Sequence, residues 1–302
     1  MKKTFLLLLA LVATISFAFA GENPVKNTYS HHYNFEDFTA LAVSNAFRVD
    51  FTFSDDWTVD VTVPDFIQPY LKVTCSSHKV HIGLSKLPKD VQRKLSDLKD
   101  PLQATVRMPK LHALSLSGAS RMEVTGQQQL GSEEMFIDLS GASRLKSMAA
   151  EGKGSLSIGL SGASRVEMQA DFKAIHVDVS GASKLDLTGS AERLRLGCSG
   201  ASNCDFTGDF QNADIDLSGS SKMKMNGKTG SLQLGQSGAT SFTSNGETAR
   251  ADVDLSGASK ARLTVTERLD YELSGASTLR VKDLGARITG EQSRGSKIEW
   301  DR

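Results

Sequence analysis

Hydrophobic and polar residues alternate along most of the chain after residue 110, and a short polar motif interrupts the alternation at regular intervals. The motif is Ser-Gly-Ala-Ser, in full or as a near copy. Its copies begin at Ser117, Ser140, Ser161, Ser180, Ser199, Ser218, Ser237, Ser256 and Ser274. Most copies lie 19 residues apart, and a degenerate copy at Ser293 keeps the spacing. Period-two alternation on both sides of each motif predicts strand, tight bend and strand.

Apolar residues fall in fixed columns when the copies are aligned on their first serine. The third residue before that serine is always apolar or aromatic: Leu114, Ile137, Ile158, Val177, Leu196, Ile215, Leu234, Val253 and Tyr271. The residue directly before the serine is apolar or cysteine in every copy except Gln236. A unit of this length cannot bury an apolar face alone, so the repeat predicts a stack of coils.

The residue two positions before the motif decides between stacked parallel coils and an antiparallel meander. In this column acidic residues alternate with glycine for most of its length, as in Asp178, Gly197, Asp216, Gly235 and Asp254. In-register stacking would bring equivalent residues about 4.8 Å apart, and the alternation would double the distance between carboxylates. The pattern therefore favours an all-β fold, a right-handed parallel β-helix (β-solenoid) with coils of about 19 residues.

The chain divides into three parts by composition. Residues 1–20 have two lysines, an apolar run and a small-residue cut site before Gly21, which predicts a signal peptide and export. Residues 21–110 lack the period but retain strand patterns, so we expect irregular opening coils and an N-terminal cap. Within them, residues 85–100 place leucine and valine at helical spacing between two prolines, which predicts a short amphipathic helix. Residues 111–302 form the regular solenoid.

The helix has two interpretations at this point. Its apolar edge would pack on the opening coils, or it would stay exposed and recruit a partner. After the signal peptide no apolar run is long enough to span a bilayer, so we expect no membrane span.

Charge is nearly balanced, with 35 basic and 35 acidic residues, so we expect no nucleic-acid partner. One column, directly after the motif, is nevertheless rich in basic residues. This basic stripe contains Arg121, Arg144, Arg165, Lys184, Lys222, Lys260 and Lys297. Two residues further on lie several acidic residues, so the stripe is either a solvated, neutralised face or a binding surface for acidic glycans or envelope polymers.

Candidate chemistry is sparse. Cys198 and Cys204 occupy two inward columns on either side of one bend, where they would form a disulfide or remain buried thiols. The histidines show no metal-ligand spacing beyond a weak pair, His78 and His81. Nine copies of the motif serine without a paired histidine argue against a nucleophile, and we expect a ladder of stacked hydroxyls instead. We expect no catalytic residue, metal or cofactor.

The run from Met108 to Ser120, with Pro-Lys-Leu ahead of the first motif, and the recurring Leu-Ser-Gly-Ala-Ser coils resemble a known family. This is the auto-transporter adhesin head domain family, also called the head GIN domain, and the resemblance spans roughly residues 38–290. It implies an exported protein of Gram-negative bacteria with a fold similar to a parallel β-helix. The resemblance brings no site residues with it.

Two functions of different classes remain. The first is a secreted, non-enzymatic β-solenoid that acts as an adhesin or envelope scaffold in the periplasm, at the cell surface or outside the cell. Its partners would be glycans, envelope polymers, other proteins or further copies of itself. The alternative is a carbohydrate-active β-helix enzyme, a polysaccharide lyase or hydrolase of the periplasm.

Overall fold

The computed structural model describes residues 27–301, so the predicted signal peptide lies outside the described residues. The opening segment has strands β1 (Thr28–Tyr33), β2 (Ala40–Val43), β3 (Arg48–Phe53), β4 (Thr58–Pro64), β5 (Leu71–Ser76), β6 (Lys79–Leu84) and β7 (Gln103–Met108). It also has a 3-10 helix (Asp65–Tyr70) and one α-helix, α1 (Lys89–Ser96).

Seventeen further strands follow. They are β8 (Ala113–Leu116), β9 (Arg121–Thr125), β10 (Gln128–Leu130), β11 (Met135–Leu139), β12 (Arg144–Leu160), β13 (Arg165–Val179), β14 (Lys184–Thr188), β15 (Ala191–Cys198), β16 (Asn203–Thr207), β17 (Phe210–Leu217), β18 (Lys222–Asn226), β19 (Thr229–Gln236), β20 (Ser241–Leu255), β21 (Lys260–Leu273), β22 (Thr278–Asp283), β23 (Arg287–Gln292) and β24 (Lys297–Asp301).

These strands wind into a β-solenoid of about ten turns with coils about 19 residues apart. Equivalent strands of successive coils pair in parallel, as β14 does with β16 and β16 with β18. The pairing is in register, since Leu185 lies beside Cys204 and Cys204 beside Met223. The predicted β-solenoid is confirmed, and the antiparallel meander is excluded for the regular coils. The aligned apolar columns point inward and form one continuous core.

The motif builds the corner of each coil through backbone and hydroxyl hydrogen bonds. Gly181 has a φ of +73°, which residues with a Cβ rarely adopt. The N–H of Ala182 donates to the carbonyl of Gly162 in the preceding coil at 2.7 Å. The fourth serine is buried, and Ser164 Oγ donates to the carbonyl of Ser161 at 2.8 Å. The motif is therefore a structural corner.

The stacked motif hydroxyls do bond along the helix, but mainly to carbonyls of the preceding coil and not to one another. At the first motif position, Ser180 Oγ donates to the carbonyl of Leu160 at 3.2 Å, so the hydroxyls bond to carbonyls. A direct hydroxyl pair occurs where Thr240 lies 3.2 Å from Ser259. The hydroxyls bond to carbonyls and not to neighbouring hydroxyls because each corner leaves a backbone oxygen within reach of the short side chain.

The corner column extends into the opening segment, although the sequence there shows no period. The corner residues Asn45 and Ala46 both have a φ of 65°, and the Asn45 N–H lies close above Gly118. The strand after this corner, β3, begins at Arg48, as β9 begins at Arg121 after the first motif. The two corners are bonded to each other, since the Arg121 N–H donates to the Phe47 carbonyl at 2.8 Å. Phe47 is fully buried at the position that serine holds in later coils.

The N-terminal end of the solenoid carries a cap of antiparallel strands. β5 pairs antiparallel with β6, and β1 and β7 both pair antiparallel with β4. The helix predicted over 85–100 is shorter in the structure, where α1 covers Lys89–Ser96. Pro88, directly before the helix, has an extended backbone conformation, so the helix begins at Lys89.

The alternating acid and glycine column also stacks in register. Asp138 pairs with Gly159, Gly159 with Asp178, and Asp178 with Gly197. A Cβ added at Gly197 would lie 3.0 Å from Asp178 Oδ1, because the carboxylate leans over the glycine of the next coil. Steric room therefore adds to charge spacing as a reason for the alternation.

Candidate functional site

The predicted basic stripe is one continuous line on the outside of the solenoid. Register pairs join its members and the polar residues between them in the order Arg121, Arg144, Arg165, Lys184, Asn203, Lys222, Ser241, Lys260, Thr278 and Lys297. Neighbours in this line lie on adjacent strands, about 4.8 Å apart. The sequence alignment therefore placed all seven basic residues on one surface.

Parts of the stripe are neutralised by the acidic residues that were expected beside it. Arg165 lies 2.9 Å from Asp186, and Lys184 lies 3.1 Å from the same carboxylate. At the far end Lys297 and Arg280 both bond to Glu299 and lower the pKa of its carboxyl to about 2. Such exposed pairs contribute little stability, but they cancel the local field.

Positive charge concentrates instead on four adjacent strands, β18, β20, β21 and β22. The outward basic side chains of β18, β21 and β22, which we call the basic face, are Lys222, Lys224, Lys260, Arg262, Arg280 and Lys282. The outward positions between them at residues 226, 241, 243, 264 and 278 are asparagine, serine or threonine. Within residues 27–301, no ion pair joins the four lysines to an acidic side chain, whereas the two arginines reach Asp301 or Glu299.

Sequence reasoning found only two of these six residues, because it followed a single column of the alignment. Lys224, Arg262 and Arg280 lie two residues after that column, and Lys282 lies four after it. In a strand, residues at i, i+2 and i+4 share a face. This period of two along each strand would have indicated that the other four residues share the outward face.

The other side of the corners carries the opposite charge. On the strands that precede the corners, the outward carboxylates of the same coils are Asp214, Asp216, Asp252, Asp254, Asp270, Glu272 and Glu291. They border a groove of about 840 Å³. Asp214 pairs with Arg195 and Asp270 with Arg268, and the other carboxylates leave this side of the C-terminal coils acidic.

Cys198 and Cys204 meet inside the solenoid. Both are free and buried, with their sulfur atoms 3.0 Å apart. The hydrogen bond between them lowers the pKa of Cys198 and, together with burial, raises that of Cys204. A disulfide requires about 2.05 Å between the sulfur atoms, so a movement of the two sulfurs by about 1 Å towards each other would allow the bond to form.

We expect this pair to form a disulfide when a small-molecule disulfide such as oxidised glutathione accepts its two electrons and two protons. Thiol titration under denaturing, non-reducing conditions should then detect Cys75 alone of the three cysteines. A Cys198→Ala variant, in which Cys204 has no partner, is the control and should retain two titratable thiols. Three titratable thiols in the oxidised native chain would contradict the expectation.

The remaining sequence candidates do not assemble into a site. His78 Nδ1 lies 2.7 Å from the backbone carbonyl oxygen of Asp37, so this ring nitrogen is engaged in a hydrogen bond to the backbone. Among the described residues, no group of three or more histidine, cysteine or acidic side chains is placed to hold a metal ion.

No helix within residues 27–301 has the length and hydropathy to cross a membrane.

The family model described as "Putative auto-transporter adhesin, head GIN domain" matches residues 37–208 and 190–283. No curated protein matches the chain.

Solved structures are similar in fold. One is a putative adhesin from Parabacteroides distasonis, 14% identical, with a TM-score of 0.55, over 91% of this chain and 97% of the other. A second from that organism, named a putative lipid binding protein, is 13% identical with a TM-score of 0.47 and the same coverage. A putative adhesin from Bacteroides fragilis is 14% identical with a TM-score of 0.45, over 93% of this chain and all of the other. At 14% identity, the likeness to the first of these structures concerns the fold alone.

The two family matches together span most of the chain, from the opening coil to the last regular corners. The chain therefore belongs to the auto-transporter adhesin head GIN domain family.

Proposed function

We propose that this protein is an exported, non-enzymatic binding protein of the adhesin type, and that its basic face holds an extended acidic glycan or envelope polymer. The observation that carries the proposal is the basic face itself. It presents six cationic side chains on three of four adjacent strands, and four of them have no acidic partner within the described residues. The family description supports adhesion over catalysis.

The geometry suits a polymer better than a small ligand. The strands that bear the outermost rows of the face lie three strand spacings apart, about 14 Å. The surface is an open sheet without the enclosing walls that small-molecule sites have. Long lysine and arginine side chains can follow a flexible anionic chain, with an affinity that salt weakens.

We expect binding of polygalacturonate, a polyanionic glycan, by the native chain without cleavage. Dextran, which is neutral, should not bind. The polygalacturonate affinity should fall as salt rises, because counterions screen exposed charges. Titration calorimetry measures the binding, and an assay for new reducing ends tests whether the glycan is cleaved. Release of reducing ends would overturn the non-enzymatic proposal, and equal binding of dextran would overturn the electrostatic one.

A double charge reversal, Lys222→Glu with Lys260→Glu, should weaken polygalacturonate binding roughly 10-fold or more. Both side chains are exposed and unpaired in the described chain, so the fold should be unchanged. The matched control is Arg193→Glu with Lys173→Glu, which makes the same charge change outside the basic face. If both double variants lose affinity equally, the polymer responds to net charge and not to this face.

A further inference from the structure

A cavity of about 340 Å³ lies between α1 and the first corners of the solenoid. Its floor is formed by Phe47 and Leu102, which are fully buried. Leu87, Leu95 and Leu98, from α1 and its flanks, line its helix side. This volume is at the small end of the range for ligand pockets, and the lining is mainly apolar, as such pockets require.

The helix covers this cavity without filling it. The charged residues of α1 lie on one side of the helix, and its apolar edge faces the coils. Even so, none of the α1 residues is buried. Leu87 and Leu95 touch the core but remain partly exposed. The edge packs on the opening coils, as the first sequence interpretation expected, and still presents some apolar surface. Recruitment of a partner by this edge stays a prediction.

Two guanidinium groups lie at the rim of the cavity. Arg48 and Arg121 occupy paired positions on β3 and β9, so their backbones are one strand spacing apart. Arg121 makes one 3.5 Å contact with Asp100, and its side chain is 56% exposed. A guanidinium has several N–H donors, so Arg121 can still donate to a second carboxylate. Arg48 lies 4.0 Å from Asp50, which compensates its charge, so Arg121 is the group at the rim that can take a ligand carboxylate.

We propose that this pocket binds an aliphatic monocarboxylate, with its chain between α1 and the corners and its carboxylate on Arg121. An apolar cavity would take the chain out of water, and the arginine would fix the head group by charge-assisted hydrogen bonds. The pocket lies at the opening coils, whereas the basic face lies on the C-terminal coils. The two sites are therefore independent.

Decanoate is the probe, titrated by calorimetry into the full chain below its critical micelle concentration. It should bind with one site per chain and roughly 10-fold more tightly than 1-decanol, which has the same chain without the charge. Hydrogen exchange of the α1 amides should slow when decanoate is bound. Absence of binding, or equal affinity for the acid and the alcohol, would overturn the proposal.

Matched variants separate the head and chain contacts. Arg121→Ala should weaken decanoate about 10-fold and leave decanol unchanged, whereas Leu95→Ser should weaken both ligands. The controls are Arg144→Ala, the next residue in the stripe, and Leu284→Ser, the same change at a leucine that is 48% exposed; neither residue lines the cavity. Both controls should remain within about two-fold of the native affinity. If they weaken decanoate as much as the test variants, the pocket is not the site.

Discussion

Replacing Gly181 by alanine is expected to lower the free energy of unfolding by about 3 kcal/mol or more. The residue has a φ of +73°, a conformation that costs a residue with a Cβ about 1–2 kcal/mol. The added Cβ would also lie 2.4 Å from the carbonyl oxygen of Gly162. That oxygen accepts the corner hydrogen bond from Ala182, so it cannot move away without loss of the bond. Urea unfolding monitored by circular dichroism measures the change.

Gly159→Ala is the matched control. Gly159 belongs to the acid and glycine column, and its backbone lies outside the left-handed region. A Cβ there would meet Asp138 Oδ1 at 3.3 Å, which is the end of a side chain that can rotate. We expect a loss of no more than about 1 kcal/mol. Equal losses at Gly159 and Gly181 would show that the corner geometry is not what requires glycine.

Replacing Gln236 by leucine is expected to raise the free energy of unfolding by about 2 kcal/mol. Gln236 is 3% exposed, and neither its Oε1 nor its Nε2 atom has a hydrogen-bond partner among the described residues. In its column it stacks between Leu217 and Leu255. A leucine of similar volume would remove the cost of an unsatisfied amide and continue the apolar column.

The control for that substitution is Gln233→Leu. Gln233 is exposed on the same strand, β19, so its replacement should change stability by less than about 0.5 kcal/mol. Differential scanning calorimetry on both variants gives the comparison. A destabilised Gln236→Leu variant would show that the amide makes a stabilising interaction in the folded protein.

The regular part of the fold could be predicted because each of its elements is repeated. Period-two alternation gave the strands, and alignment on the motif identified inward columns such as Leu196 with Ile215, which lie side by side in the structure. The opening corner was missed because Phe47 replaces the last serine there, so the motif is no longer recognisable. In the antiparallel cap, the pairings of β1 and β7 with β4 were not predictable, since they join strands far apart in sequence without a shared period.

The candidate site was only partly predictable for a related reason. A column of the alignment shows what repeats from coil to coil, whereas a surface also depends on neighbours along each strand. Lys224 and Arg262 belong to the basic face through that second direction. The ion pairs that neutralise Arg165 and Lys184 depend on rotamers and on carboxylates of adjacent coils, which the alignment could suggest but not establish.

The central claim is that successive coils act together on one extended anion. Titration of galacturonate oligomers of increasing length into the native protein tests it most directly. Each added acidic unit should reach further cations on Lys222, Lys260 and their neighbours, so affinity should rise with length until the oligomer spans the basic face. The account predicts that rise, followed by a plateau at the length of the face. Binding of the monomer as tightly as of the longest oligomer would contradict it.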